Sequence, residues 1–540
     1  MFSQKTWSLV FILICSFVLL LPNESLSSPL SLNKRHHEKV YHIKITKESF
    51  APDGFKRKMF LINGQFPGPV IECNKGDFLV INVENCLNED TTIHSHGIFQ
   101  RGTPWYDGVP GQNQCGIPPN KTFAYKYYLD QSGTYWYHSH SRAQYIEGIV
   151  GPLIVHDPKD PYRHEYDEEI VILLQDWYHN DSKSLLATFL SPESQGAEPA
   201  PDNGLINGKN SFNCSAAPKG SVCKDASLAK FKFVHGKKYR LRIINSSAFS
   251  AFIFSIDDHP MDVIEVEGMI TKRHTVHRLP INVAQRYSVI VKANQPKAKY
   301  WMRAEMETTC FAQQNPDLNA LVKAVVSYDG CDHKGPSSKA WSDKVEDCVD
   351  LDVSKLKPYT KQKVPDVDRK IEITFSFQND DNNVTLGYIN NSTYKIDVIH
   401  PTLEKVYDGV TTFAADQNAF VIEKCEVIDL ILNNTDNGEH PFHLHGHVFW
   451  VLGQGGNGTT PDYDKLNTKD PIQRDVTTIP ASGWTIIRFI SDNPGVWGFH
   501  CHIEWHVQSG LVSQFVTQPE KIKKLKAPDD WKALCSKVKV

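Results

Sequence analysis

A chain of 540 residues is too long for one hydrophobic core and points to three or four domains. Its 40% apolar and 22% charged residues are the balance of a soluble globular protein, which argues against a disordered or membrane-embedded one. A net charge of -4 leaves no basic footprint for nucleic acid.

Residues 1–27 read as a secretory leader: Lys5, an apolar run from Ser8 to Leu21, then small residues at Ser25 and Ser27. That run is short for a membrane span. The tail from Lys521 to Val540 is charged, so the expectation is a released extracellular protein without a membrane anchor, and a monomer. Nine N-x-S/T acceptors, at Asn120, Asn180, Asn213, Asn245, Asn383, Asn390, Asn391, Asn433 and Asn457, suit a glycosylated secreted chain. Of the 12 cysteines, Cys15 falls in the leader and Cys501 is set aside for metal, which leaves an even remainder and up to five disulfides. Cys214 and Cys223 are close enough to staple a loop.

From Lys39 onward, short β-type runs such as Val40 to Ile45, Phe78 to Val83 and Thr122 to Tyr128 are broken by Gly, Pro and Asn. The reading is all-β. An internal repeat then sets the organisation. Near the start, a strand from Gly76 to Val83 precedes His94-Ser95-His96-Gly97 and, later, Gly133-Thr134-Tyr135-Trp136-Tyr137-His138-Ser139-His140. Near the end, a strand from Glu426 to Leu432 precedes His440-Pro441-Phe442-His443-Leu444-His445-Gly446 and, later, Gly495-Val496-Trp497-Gly498-Phe499-His500-Cys501-His502. A middle copy, opening at Gly236 to Asn245, keeps the strand rhythm without the histidine pairs and reads as a spacer. The boundaries are domain 1 at 36–157, domain 2 at 160–330, a linker at 331–368 rich in Lys, Asp, Ser and Pro, and domain 3 at 369–540.

The segment Gly498 to Leu511 carries the chemistry. Side chains alternate along a strand, so Cys501 faces one way and His500 and His502 the other, and one strand addresses two sites. A thiolate with two imidazoles suits blue copper. Cys501 and His506 supply two of those three ligands. The four H-x-H pairs offer His94, His96, His138, His140, His443, His445, His500 and His502. Three copper ions taking two, three and three histidines use all of them and leave Cys501, His506 and His440 for the blue site. Zinc would ask for tetrahedral sets that this pattern does not form.

These segments resemble the signature of the three-domain multicopper oxidases, the laccase, ascorbate oxidase and fungal ferroxidase superfamily, from about residue 40 to Cys535, and secreted fungal laccases most of all. The resemblance implies three consecutive cupredoxin-like Greek-key sandwiches and four copper ions: one type 1, one type 2 and two type 3. It assigns Cys501, His440 and His506 to type 1 and His94 and His443 to type 2. The type 3 pair takes His96, His138 and His502 on one side and His140, His445 and His500 on the other. Asp107 and Glu504 match carboxylates credited with proton delivery, Leu511 stands where a weak axial ligand would lie, and Cys115 would bridge to Cys535. The implied reaction couples four one-electron oxidations to reduction of O2 to two waters.

The electron donor is read from the departures. Iron oxidases of the family carry a Glu before W-Y-H and an Asp shortly before A-Q-R-Y, whereas this chain has Asp176 in Asp176-Trp177-Tyr178-His179 and no acid from Thr275 to Pro280. Ascorbate oxidases carry Met at the position of Leu511. Many laccases have an acid before F-S-I-D-x-H, and none stands between Ala248 and Ile253. The reading is a laccase-type oxidase of phenols with Asp176 as a donor-pocket candidate. The alternatives are Fe(II) or ascorbate as donor, or a copper-binding or storage protein without turnover.

Overall fold

The computed structural model describes residues 37–331 and 335–536. The leader lies outside the described residues. Six sheets pair into three sandwiches, and each begins in the same way. The strand Glu38–Phe50 runs parallel to Phe78–Asn85, Glu168–Trp177 to Lys238–Asn245, and Arg369–Asn379 to Val427–Asn434. In each sheet the second strand of that pair then takes an antiparallel partner: Thr122–Tyr128, Arg286–Lys292 and Trp484–Ile490. A parallel pair needs a crossover, so this common opening marks three Greek-key copies of one unit.

Alternation sets the faces. In Leu321–Tyr328 each second residue, Val322, Ala324, Val326 and Tyr328, is buried while the residues between are half exposed. The histidine-bearing strands sit in the second sheet of the terminal sandwiches and are buried throughout: His94–His96 beside Gly133–His138, and His440–Leu444 beside Gly495–Cys501. The matching pair of the middle sandwich, Phe252–Ile256 beside Lys299–Met306, puts Phe254 opposite Ala304 there. The same position that is core in domain 2 holds metal-type ligands in domains 1 and 3.

The segment expected as a linker has no helix or strand among its described residues, yet it is packed down. Trp341 stacks on His277 at 3.9 Å and donates to the Ile256 carbonyl, and Cys348 is bonded to Cys310. Among the described residues three disulfides form, within the expected limit of five: Cys115–Cys535, Cys214–Cys223 and Cys310–Cys348. Cys73, Cys86, Cys331, Cys425 and Cys501 remain thiols, Cys73 buried in the core. The first bridge ties the last helix, Asp529–Cys535, to domain 1, where Trp531 Nε1 donates to the Asn113 carbonyl at 2.8 Å. One sequon fails on packing: Asn245 is fully buried and its amide donates to the carbonyls of Ser250 and Ile281. Among the described residues no helix is long and apolar enough to cross a membrane.

Candidate metal centres

Strand pairing brings the histidines together two by two. His94 stands opposite His138 in domain 1, and His443 opposite His500 in domain 3. The two edges face each other across the seam between the sandwiches, with the His94 and His445 rings 4.2 Å apart and those of His96 and His443 stacked at 3.8 Å. His140 and His502, each just past a strand end, close the group: His140 Nε2 lies 3.4 Å from His500 Nε2, and the His502 ring lies 5.1 Å from that of His96.

Whether this group fits metal can be read from where each ring spends its two nitrogens. One nitrogen is held by the protein: His94 Nδ1 donates to the Asp107 carbonyl (2.6 Å), His138 Nδ1 to that of Ser139 (2.9 Å), His443 Nδ1 to that of Asp475 (2.9 Å) and His500 Nδ1 to that of Cys501 (2.8 Å). That fixes the tautomer and leaves Nε2 as a lone pair. The Nε2 atoms of His94, His138, His443 and His502 are buried with no partner, and His445 Nε2 points at His500 Nε2 from 3.0 Å. His96 is reversed, with Nε2 on Asp475 Oδ1 at 3.3 Å and Nδ1 left over. Burial, and then the neighbouring imidazoles, hold His138, His140, His443 and His502 well below the usual range, so the rings are neutral. Buried lone pairs without donors are costly unless a cation accepts them. The donor set fits copper.

The second group lies on the other side of the same strand. Cys501 Sγ is 3.4 Å from His506 Nδ1 and 3.7 Å from His440 Nδ1, and the two nitrogens are 3.1 Å apart. All three residues are buried. Burial pushes the Cys501 thiol up, so it keeps its proton until a cation displaces it. Leu511 is fully buried, donates its N–H to the His506 carbonyl at 2.9 Å, and offers no coordinating atom. The peptide units on either side of Cys501 join this group to His500 and His502 covalently.

The two carboxylates near the clusters have opposite environments. Burial alone would raise Asp107, but His445, 2.8 Å from Oδ2, and His94, 3.3 Å from Oδ1, outweigh it and hold the group well below the usual carboxylate range. Glu504 is buried beside the small cavity lined by His138, His140, His500 and His502, and burial pushes it well above its usual range. Its carboxyl oxygen Oε1 accepts a bond from Gln508 Nε2 at 2.7 Å. The neighbouring histidines thus favour the ionised form of Asp107, and burial favours the protonated form of Glu504.

The outward edge of the Cys501 group holds acids that sequence reasoning missed. His506 Nε2 donates to Glu198 Oε1 at 2.7 Å, and His440 Nε2 to Asp436 Oδ2 at 3.3 Å. Phe377 packs on both rings, 5.6 Å from His440 and 4.8 Å from His506. Glu439, the residue before His440, is pushed up to about 8 by burial and the nearby Glu307 and Glu198. Asp436 could have been suspected from its place four residues before His440. Nothing in the sequence near Glu198, 308 residues from its partner, marks it. Asp176 is not at this edge: its carboxylate accepts the backbone N–H groups of Ala248, Phe249 and Ser250, and it pins the start of a domain 2 loop.

Three cupredoxin-type sandwiches, a buried Cys-His-His group and an eight-histidine cluster at the seam of the outer two define a copper-dependent oxidoreductase. Multicopper oxidase family models match residues 44–160, 168–331 and 375–521. The chain belongs to the multicopper oxidase family. It is 38% identical over 504 residues to the iron transport multicopper oxidase fetC of Epichloe festucae, covering 90% of this chain and 77% of that protein. It is similar to the laccase from Botrytis aclada (TM-score 0.86, 35% identity, 93% of this chain and 92% of that one). It is also similar to Fet3p, described as a multicopper oxidase that functions in iron import (TM-score 0.84, 32% identity, 93% and 95%).

Proposed function

We propose that this chain is an exported oxidase that takes single electrons from a phenolic donor at His506 and delivers them to O2 at the seam of domains 1 and 3. Four copper ions, held in the type 1, type 2 and type 3 sets implied by the family resemblance, would supply the one-electron and O2 chemistry when bound. The residues do the rest. His506 presents an outward Nε2 at the donor edge, and Cys501 offers a route to the cluster through the two peptide units that flank it. The leader and the three disulfides support export, since such bridges persist in oxidising compartments.

The observation that carries the donor reading is the Glu198 carboxylate 2.7 Å from His506 Nε2. A phenol that gives up an electron also gives up its proton, and a carboxylate beside the electron-accepting imidazole is placed to take it. Four phenols then yield four phenoxyl radicals, and O2 with the four protons and electrons yields two waters. Glu504 supports the second half: a buried acid beside the cluster cavity is placed to hand protons inward, and Gln508, on its other side, lines a cleft of about 410 Å³ between domains 1 and 3.

Fe(II) is the second reading, favoured by a separate observation. Asp436 on His440 gives the edge a second carboxylate, so both outward nitrogens carry one, and such a pair attracts a hard cation and prefers its higher charge. Steady-state O2 uptake of the copper-loaded protein with a dimethoxyphenol, Fe(II) and ascorbate in one buffer separates the readings. Phenol turnover at least about tenfold above Fe(II), some 1.4 kcal/mol, supports the first, and the reverse order replaces it with the second.

A further inference from the structure

Domain 2 carries none of the cluster histidines, yet one of its side chains holds the aspartate that contacts two of them. Arg286 opens the strand Arg286–Lys292 and is fully buried. Its two terminal nitrogens donate to the two carboxylate oxygens of Asp475 in domain 3, each at 2.6 Å, and its Nε donates to the Thr134 carbonyl of domain 1 at 3.1 Å. Asp475 in turn serves one histidine from each outer domain: Oδ1 lies 3.3 Å from His96 Nε2, and its carbonyl lies 2.9 Å from His443 Nδ1. Three sandwiches meet on one carboxylate.

The approach is tight. A Cβ on Gly97, the residue after His96, would lie 2.6 Å from the Arg286 guanidinium and 2.8 Å from Asp475 Oδ2. The backbone at Asp475 is fixed as well, because Glu267 of domain 2 accepts its N–H at 2.7 Å and that of Val476 at 2.8 Å. A bidentate guanidinium–carboxylate pair fixes orientation as well as distance. Asp475 therefore has its rotamer set by Arg286 and its main chain set by Glu267, both from the domain that holds no ligand. His96 is the ring that presents Nδ1 to the cluster rather than Nε2, and its Asp475 contact is what defines that reversal.

We propose that Arg286 and Asp475 are positioning residues for dioxygen reduction, through which domain 2 sets the orientation of His96 and His443. The inference rests on the copper reading above. It predicts an effect confined to one centre, because neither residue touches Cys501, His440 or His506.

Arg286→Gln, Arg286→Lys and Asp475→Asn in the full chain, loaded with copper beside the unaltered protein, test it. The blue absorption and its bleaching by donor in the absence of O2 are expected to be unchanged. Return of the colour on mixing with O2 is expected to slow by at least about tenfold in Arg286→Gln and Asp475→Asn, with an altered electron paramagnetic resonance signal from the non-blue copper. Arg286→Lys, which keeps the charge without the fork, is expected to recover part of the rate. If Arg286→Gln does not fold, Asp475→Asn decides the matter, because it keeps the backbone carbonyl used by His443. Full copper content, an unaltered resonance signal and reoxidation within about twofold of the unaltered protein overturn the inference. An unaltered chain that takes up no copper overturns the copper reading and this inference together. A loaded, active chain with indifferent variants overturns this inference alone.

Discussion

Glu198→Gln is the perturbation that reports most directly on the donor. The substitution keeps the shape of a side chain that is 13% exposed and leaves an amide oxygen for His506 Nε2, so it removes the charge and the basicity and little else. The bond it weakens is charge-assisted and largely shielded from water, a class worth about 1.5–3 kcal/mol. At about 1.4 kcal/mol per factor of ten, kcat/KM should fall by about 10- to 150-fold for any donor that depends on the carboxylate. The pattern across donors separates its roles. If Glu198 takes a phenolic proton, phenol oxidation falls and then rises with pH as the phenol ionises without help, whereas Asp436→Asn leaves phenol oxidation in place. If the edge binds Fe(II), both substitutions reduce Fe(II) oxidation and the phenol rate is the less affected. O2 uptake with each donor, over a series of pH values, measures both. A Glu198→Gln protein with kcat/KM within about twofold of the unaltered protein for phenol and Fe(II) alike would refute the reasoning.

Glu504→Gln should slow the reoxidation step in stopped flow while the blue absorption stays, because the buried acid loses its proton but not its place beside Gln508. Replacing Cys115 and Cys535 by Ser removes a link across 420 residues, for which chain entropy sets a ceiling of about 6 kcal/mol; a lowered Tm with retained docking of Trp531 is the expected result. Burial pushes Glu307 up to about 7 from 4.5, with Asp347 and Asp350 adding to it, so its stabilising contribution is whole below about pH 4.5 and is lost as pH rises through 7. Glu307→Gln should therefore leave stability unchanged at pH 4 and raise it by about 3 kcal/mol at pH 8, read from denaturant midpoints. Gly387→Ala would put a methyl 2.8 Å from Leu511 Cβ, an overpacking of about 1–3 kcal/mol that should lower the Tm and shift the blue absorption.

The parts legible in the sequence were those written in adjacent residues. H-x-H pairs and the cysteine between His500 and His502 are local patterns, and strand alternation is enough to assign Cys501 and His500 to opposite faces. The three-fold repeat was legible because each copy reopens with the same strand rhythm, which the structure shows as one parallel pairing repeated in each sandwich. What was not legible depends on distant partners. Glu198 meets His506 across 308 residues, Arg286 meets Asp475 across 189, and neither contact leaves a mark on its own neighbourhood. Asp176 drew attention because it stands beside a motif, but a carboxylate that satisfies three backbone N–H groups is spent on the loop it holds. Counting cysteines could not say which have a partner within reach, and counting sequons could not see that Asn245 is sealed in the core.

The middle domain is the element whose role changes most between sequence and structure. It lacks histidine pairs, and by ligand count it is a spacer. In the folded chain it supplies a carboxylate to the outward nitrogen of His506 and a guanidinium to the aspartate behind His96 and His443. It also supplies the Ala248 carbonyl that accepts the Glu504 N–H at 2.8 Å. Those contacts are made by separate segments of one sandwich, around Glu198, Ala248 and Arg286. Donor preference and cluster geometry are therefore separable by point substitution but not by exchange of the whole domain. Grafting only the loop that carries Glu198 should change the donor and leave reoxidation by O2 intact. Replacing domain 2 entire, unless the incoming domain restores the arginine at the same reach, should change both.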